Sequence, residues 1–260
     1  MKKTFLSLLL GTISLAGLNA SPTSLASATQ VQLSEVSRDS LKENVSKQFH
    51  TFVNGSKEMM DQYEGFVSVL QEAVKQNKGL KESDVERILD GLSYAAECHQ
   101  FQKRKNAKAT PYISHPIGVA ESIITIGRVY DADVIIAALL HDTIEDTQAT
   151  FHDIRARFGD RVEGYVREVT DDKSLSAAKR KKLQIIHASE KSKGAAIVKL
   201  SDKLYNLNNL LRDPPVEWTR DRIDQYFQWA QTVVDNLPEA NKPLKEEVHK
   251  VVKEYWKKQA

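Results

Sequence analysis

The sequence predicts an all-α fold, one compact multi-helix bundle over residues 58–260, and three observations carry that prediction. Apolar residues recur at helical spacing along most of the chain. Helix start and stop signals fall between those runs. No period-2 run of useful strand length and no 20–50-residue repeat interrupts them.

The first thirty residues are of a different kind. Lys2 and Lys3 precede an apolar run from about Phe5 to Leu18, too short for a membrane span, and a Ser/Ala-rich stretch follows. Ala26-Ser27-Ala28 fits a small-x-small cleavage site, and Ala20 is a second one. Residues 1–28 are therefore expected to be a signal peptide, cleaved after Ala28 or Ala20, which makes the mature chain periplasmic or secreted with no stable membrane insertion. Cleavage before Thr29 removes two lysines and no acid, and cancels the formal charge of +2. A neutral chain has little long-range attraction for polyanions, so no DNA or RNA partner is expected. Cys98 is the sole cysteine, which excludes an intramolecular disulfide and a cysteine-based zinc site.

Residues 29–57 are polar with spaced apolar positions, and read as a linker or helical lead-in ending at the Asn54-Gly55-Ser56 break. From Lys57 to Lys75, the positions Met60, Tyr63, Phe66, Val67, Leu70 and Val74 share one helix face, and Gly79 supplies a stop. Ser83-Asp84 caps a helix expected over 85–103, whose apolar face includes Ile88, Leu89, Leu92 and Phe101. Pro116 suits the first turn of the next helix. Helical patterns continue over 116–127, 131–142, 150–158, 159–170, 176–190, 194–212, 219–236 and 241–257.

The chemistry sits at Ala137–Thr147, AALLHDTIEDT. On one helix, His141 lies above Glu145 and Asp142 above Asp146. An imidazole and three carboxylates crowded at the end of a buried run repel and lose hydration, and a cation is the simplest remedy. Alone, the stretch reads equally well as a core helix fraying into solvated acids. Two further residues extend the set. His115 is held at a helix mouth before Pro116, and Asp202 interrupts the apolar helix IVKLSDKLYNL with Asn206 on the same face. His115, His141, Asp142 and Asp202 make a mixed N/O set suited to Mn²⁺, Fe²⁺ or Zn²⁺, leaving Glu145 and Asp146 to position a water or shuttle its proton.

These segments, with TPYISHP at 110–116, VTDDK at 169–173 and YFQWA at 226–230, resemble the HD-domain metal phosphohydrolases. Within them the chain is similar to the RelA/SpoT-type hydrolases, and most of all to the small animal-type homologues, from about Ser93 onward. The resemblance implies an all-α fold and a Mn²⁺-dependent enzyme that removes the 3′-pyrophosphate of ppGpp or pppGpp. It implies His115, His141, Asp142 and Asp202 as metal ligands and Glu145 and Asp146 as the water-activating pair. It also implies Arg104, Lys105, Tyr112 and Asn206 as contacts to the nucleotide. Lys173, Arg180 and Lys181 read better as a solvated charged face. Two features depart from the family pattern: Ser114 stands where asparagine is expected, and a secretory leader is unexpected on an enzyme of an intracellular nucleotide. No synthetase domain follows, so the expected enzyme degrades the alarmone without making it. Alternatives are a phosphatase on NADPH or another 2′- or 3′-phosphorylated nucleotide, and a non-catalytic secreted module that holds a nucleotide or metal. The sequence assigns no oligomeric state.

Overall fold

The computed structural model describes residues 42–259. The expected signal peptide and the start of the lead-in lie outside them. Helical residues 42–52 (α1) lead into α2 (Lys57–Lys75), α3 (Glu82–Cys98), α4 (Ser114–Thr125), α5 (Ala132–Leu140) and the short α6 (Thr143–Asp146). Then come α7 (Phe151–Phe158), α8 (Asp160–Val169), α9 (Ala177–Ile186), a 3₁₀ turn at Ala188–Glu190, α10 (Lys193–Arg212), α11 (Arg220–Asn236) and α12 (Lys242–Lys257). Among the described residues there is no strand, only a bridge between Lys103 and Pro111.

Two helices form the centre. Eight of the nine residues of α5 are buried, because it packs against α3, α4, α8 and α10 and has no solvent face. Each Ile, Val or Leu buried there contributes about 1.5–3 kcal/mol relative to exposure. The second, α10, touches α4, α5, α8, α11 and α12. Short polar side chains start six of the helices by accepting an orphan N–H: Asp131, Thr150, Ser176, Ser192, Thr219 and Asn241 all do so.

Helices α1 and α2 are part of this core. Phe49 stacks on Tyr63 at 4.9 Å, and Phe49, Phe66 and Leu70 have no exposed surface. The α2 helix packs on α4, and its Gln62 donates a hydrogen bond to Ser114 O at 3.0 Å.

Several boundaries differ from the sequence reading: the helix expected over 116–127 is Ser114–Thr125, the one expected over 176–190 is Ala177–Ile186 followed by the 3₁₀ turn, and three further differences bear on the site. The third helix stops at Cys98, not at 103, and Phe101 is 88% exposed instead of lying on a buried face. The reason is local: His99 and Gln102 bond each other, and Gln102 O and Arg104 N pair with Tyr112 N and Thr110 O, which draws the chain out of the helix. That helix starts at Glu82, and Asp84 caps it from the first turn, accepting from Lys81 N at 2.9 Å. The helix expected over 131–142 ends at Leu140, and His141 and Asp142 form the junction to α6. No helix among the described residues is long and apolar enough to cross a membrane.

Candidate metal centre and nucleotide pocket

The two central helices and α4 each deliver one polar group to a common point. His141 caps the C-terminus of α5, His115 sits in the first turn of α4, and Asp202 lies mid-way along α10. One donor atom from each of these three falls within 4.8 Å of the others. His115 Nε2 is 3.1 Å from His141 Nε2 and 3.4 Å from Asp202 Oδ1. Asp142 Oδ2 joins them, 3.1 Å from His141 Nε2 and 3.4 Å from His115 Nε2. Both histidines and Asp202 are buried.

This donor set fits a divalent cation. Ligands about 2.1 Å from one ion sit roughly 3.0–3.4 Å from each other, the spacing seen here. His141 Nδ1–H donates to Ala138 O at 2.7 Å, which leaves the Nε2 lone pair facing the cluster. Lone pairs and carboxylates aimed at one another are unfavourable without a positive charge between them. The protonation behaviour expresses the same demand. Burial alone would lower the His141 pKa, but Asp142 and Asp202 outweigh it and raise it to about 9. Burial would raise Asp142 and Asp202, yet His141 beside the first and Lys203 beside the second hold both well below the usual range.

The surrounding bonds orient the acids. Tyr112 donates its hydroxyl to Asp142 Oδ2 at 2.5 Å. Asn206, one turn from Asp202 on α10, donates to its Oδ1 at 2.6 Å, and Lys203 donates to its Oδ2 at 3.0 Å. Tyr205 and Gln62 both donate to Ser114 O, the carbonyl just before His115. Ser114 therefore serves the site through its backbone.

Glu145 and Asp146 stand beside the cluster but face a different neighbour. Glu145 Oε1 accepts from Asp171 N at 2.7 Å, and Lys173 Nζ lies 3.6 Å from Glu145 and 2.8 Å from Asp146. Lys173, expected to be a solvated rim residue, is thus tied to both acids. Burial, with Asp142 nearby, pushes the Glu145 carboxyl up. Lys199, buried under these acids, donates to Val169 O at 3.2 Å.

Next to the metal centre a cavity of about 320 Å³ opens. Arg104, Lys105, Tyr112 and Asn206, the residues that the resemblance implies as nucleotide contacts, all line it, with the Arg104 guanidinium 5.7 Å from the Tyr112 ring. The opposite wall was missed: Trp218, Arg222 and Tyr226 come from the start of α11 and the turn before it. Their spacing of four residues on a mainly polar helix was the available signal.

A family model described as HD domain matches residues 91–228. The guanosine-3′,5′-bis(diphosphate) 3′-pyrophosphohydrolase MESH1 of Xenopus tropicalis is 49% identical over 162 residues, covering 62% of this chain and 90% of the relative. Its counterpart in Homo sapiens is 44% identical over 172 residues, covering 66% and 96%. Among solved structures, a metazoan ortholog of SpoT described as hydrolysing ppGpp aligns with a TM-score of 0.64 at 44% identity, covering 65% of this chain and 95% of that one.

Proposed function

The chain belongs to the HD-domain family, alongside the MESH1-type pyrophosphohydrolases, and on that footing we propose that it hydrolyses ppGpp and pppGpp to GDP or GTP and pyrophosphate. The observation that carries this reading is the four-donor cluster of His115, His141, Asp142 and Asp202 beside a cavity lined by Arg104, Lys105 and aromatic rings. Those four residues would hold one divalent ion; the mixed N/O donors suit Mn²⁺, Fe²⁺ and Zn²⁺ alike, and the family resemblance favours Mn²⁺. When bound, such an ion would polarise the phosphoryl oxygens and lower the pKa of a water toward neutral pH.

The protein's own groups do the rest. Arg104 stacks its guanidinium on the base, while Trp218 and Tyr226 close the other side of the pocket. Lys105 and Arg222 balance the phosphates not being cleaved. Asn206 keeps an amide edge toward the ribose while it fixes Asp202. Glu145 takes the proton of the attacking water, a task favoured by its raised pKa. Lys173 holds Asp146 beside it. Cleavage of the bond from phosphorus to the 3′-oxygen then leaves a ribose hydroxyl that needs the returned proton. The chain is proposed to work outside the cytoplasm, on the strength of the Lys2-Lys3, apolar and small-x-small leader.

Incubation of the full chain with Mn²⁺ and ppGpp tests the reading. GDP and pyrophosphate in equal amounts are expected, with slower turnover of NADPH and of other 2′- or 3′-phosphorylated nucleotides. Bound metal without turnover of ppGpp would sink it.

A further inference from the structure

His99 is among the most deeply buried polar residues of the molecule, 2% exposed, and it lies outside the ligand and pocket sets described above. Its ring sits 4.9 Å from that of Tyr112, the residue that hydrogen-bonds Asp142. Its Nδ1 is 2.7 Å from Gln102 Oε1. The Gln102 amide nitrogen in turn donates to the backbone carbonyl of Asp146. That second bond settles the first. Since the amide nitrogen must face the Asp146 carbonyl, the amide oxygen faces His99, and only a protonated Nδ1 can serve it.

The chain His99–Gln102–Asp146 reaches an element with little support of its own. The α6 helix is four residues long, and such a segment makes too few internal bonds to fix its own orientation. Gln102 itself is held rigidly, accepting from Tyr112 N at 2.9 Å and donating its own N–H to His99 O at 2.8 Å. Two arms therefore leave His99: one through Gln102 to the backbone of Asp146, the other through the Tyr112 ring to Asp142.

We propose that His99 is a positioning residue that sets Asp146, through the Gln102 amide, in register with the metal-binding end of α5. The inference rests on the hydrolase reading for its kinetic effect and on geometry alone for its structural one. Outer-shell partners of this kind typically change activity by about 10–100-fold when lost.

The test uses four substitutions in the full chain. His99→Asn places an amide N–H near the position of Nδ1, His99→Gln extends past it, and His99→Phe keeps the ring against Tyr112 without a donor. Gln102→Glu, nearly isosteric, removes the donor to Asp146 and leaves the acceptor for His99. With Mn²⁺ bound, His99→Gln, His99→Phe and Gln102→Glu are expected to lower kcat for ppGpp by roughly 10–100-fold with KM little changed. His99→Asn should restore most of the turnover. Hydrogen exchange supplies a readout independent of activity: the Asp146 and Thr147 amides should exchange faster in the three impaired variants and at the parental rate in His99→Asn. Parental kcat and exchange in His99→Phe or Gln102→Glu would overturn the proposal, as would His99→Asn behaving like His99→Phe. A parent chain that never turns over ppGpp would sink the hydrolase reading, while the exchange rates still decide the role of His99.

Discussion

Tyr112 gives its hydroxyl hydrogen to Asp142 Oδ2 at 2.5 Å, the same oxygen that lies 3.1 Å from His141 Nε2. Burial, with Asp142 beside it, pushes the phenol far above its ordinary pKa, so it stays a donor at every working pH. Tyr112→Phe removes one hydrogen bond to a charged group, worth about 1.5–3 kcal/mol. The expected result is a fall of roughly 10–100-fold in kcat/KM with the metal retained. Kinetics beside metal analysis checks it, and an unchanged kcat/KM would remove Tyr112 from the role.

Stability of the metal-free protein should depend on pH through His141. Its folded pKa, near 9, lies above the ordinary 6.5, so protonation favours the fold. That contribution is complete below pH 6.5 and is lost as pH rises through 9. The metal-free Tm is therefore expected to decline across that window, while metal affinity rises as the competing proton leaves. Asp142 and Asp202, held low, act in the opposite sense only in acid, below their ordinary 3.8. Thermal melts of stripped protein across pH 6–9, with proton release on adding Mn²⁺, measure both; a Tm that climbs over the window contradicts the assignment.

At Gly118 the α4 and α10 helices touch so closely that a Cβ would lie 1.9 Å from the Tyr205 ring. That ring packs 5.1 Å from His115, and its hydroxyl donates to Ser114 O at 3.1 Å. Gly118→Ala is thus expected to cost about 1–3 kcal/mol and to weaken metal binding at the same time. Adding Tyr205→Leu should recover part of the stability but not the metal affinity. Denaturant melts and metal titrations of the single and double variants separate the two effects.

Acid-to-amide substitutions should split ligands from proton-handling groups. Glu145→Gln and Asp146→Asn are expected to keep stoichiometric metal and lose about 10²–10⁴-fold in kcat. Asp202→Asn is expected to lose the metal itself. If Glu145→Gln also emptied the site, Glu145 would belong with the ligands.

Much of this was legible because the informative signals are short-range. The apolar runs of α5 and α10 read as buried helices, and the i,i+4 pairing of Asp202 with Asn206 became a 2.6 Å hydrogen bond. His115, His141, Asp142 and Asp202 do converge, although the turn carrying Glu145 and Asp146 is a separate short helix and not a continuation of α5. What stayed hidden depends on tertiary neighbours. Nothing local marks Lys173 as the partner of Asp146, and the four-residue spacing of Trp218, Arg222 and Tyr226 carries no sign that they share a pocket with Arg104, more than a hundred residues away. The early end of α3 was equally invisible, because side-chain bonds of His99 and Gln102 overrode a good helical pattern.

Helices α1 and α2 precede the segment that matches the HD-domain model, and α12 follows it, yet all three are built into the packing. Phe227 stacks on Tyr255 of α12 at 3.7 Å, and Leu244 and Val248 are fully buried. A chain trimmed to residues 91–228 would uncover those contacts at one end and the faces beneath Phe66 and Leu70 at the other. Bared apolar surface of that extent drives self-association. A piece of this protein that keeps those faces covered must therefore reach well beyond the piece by which its family is recognised.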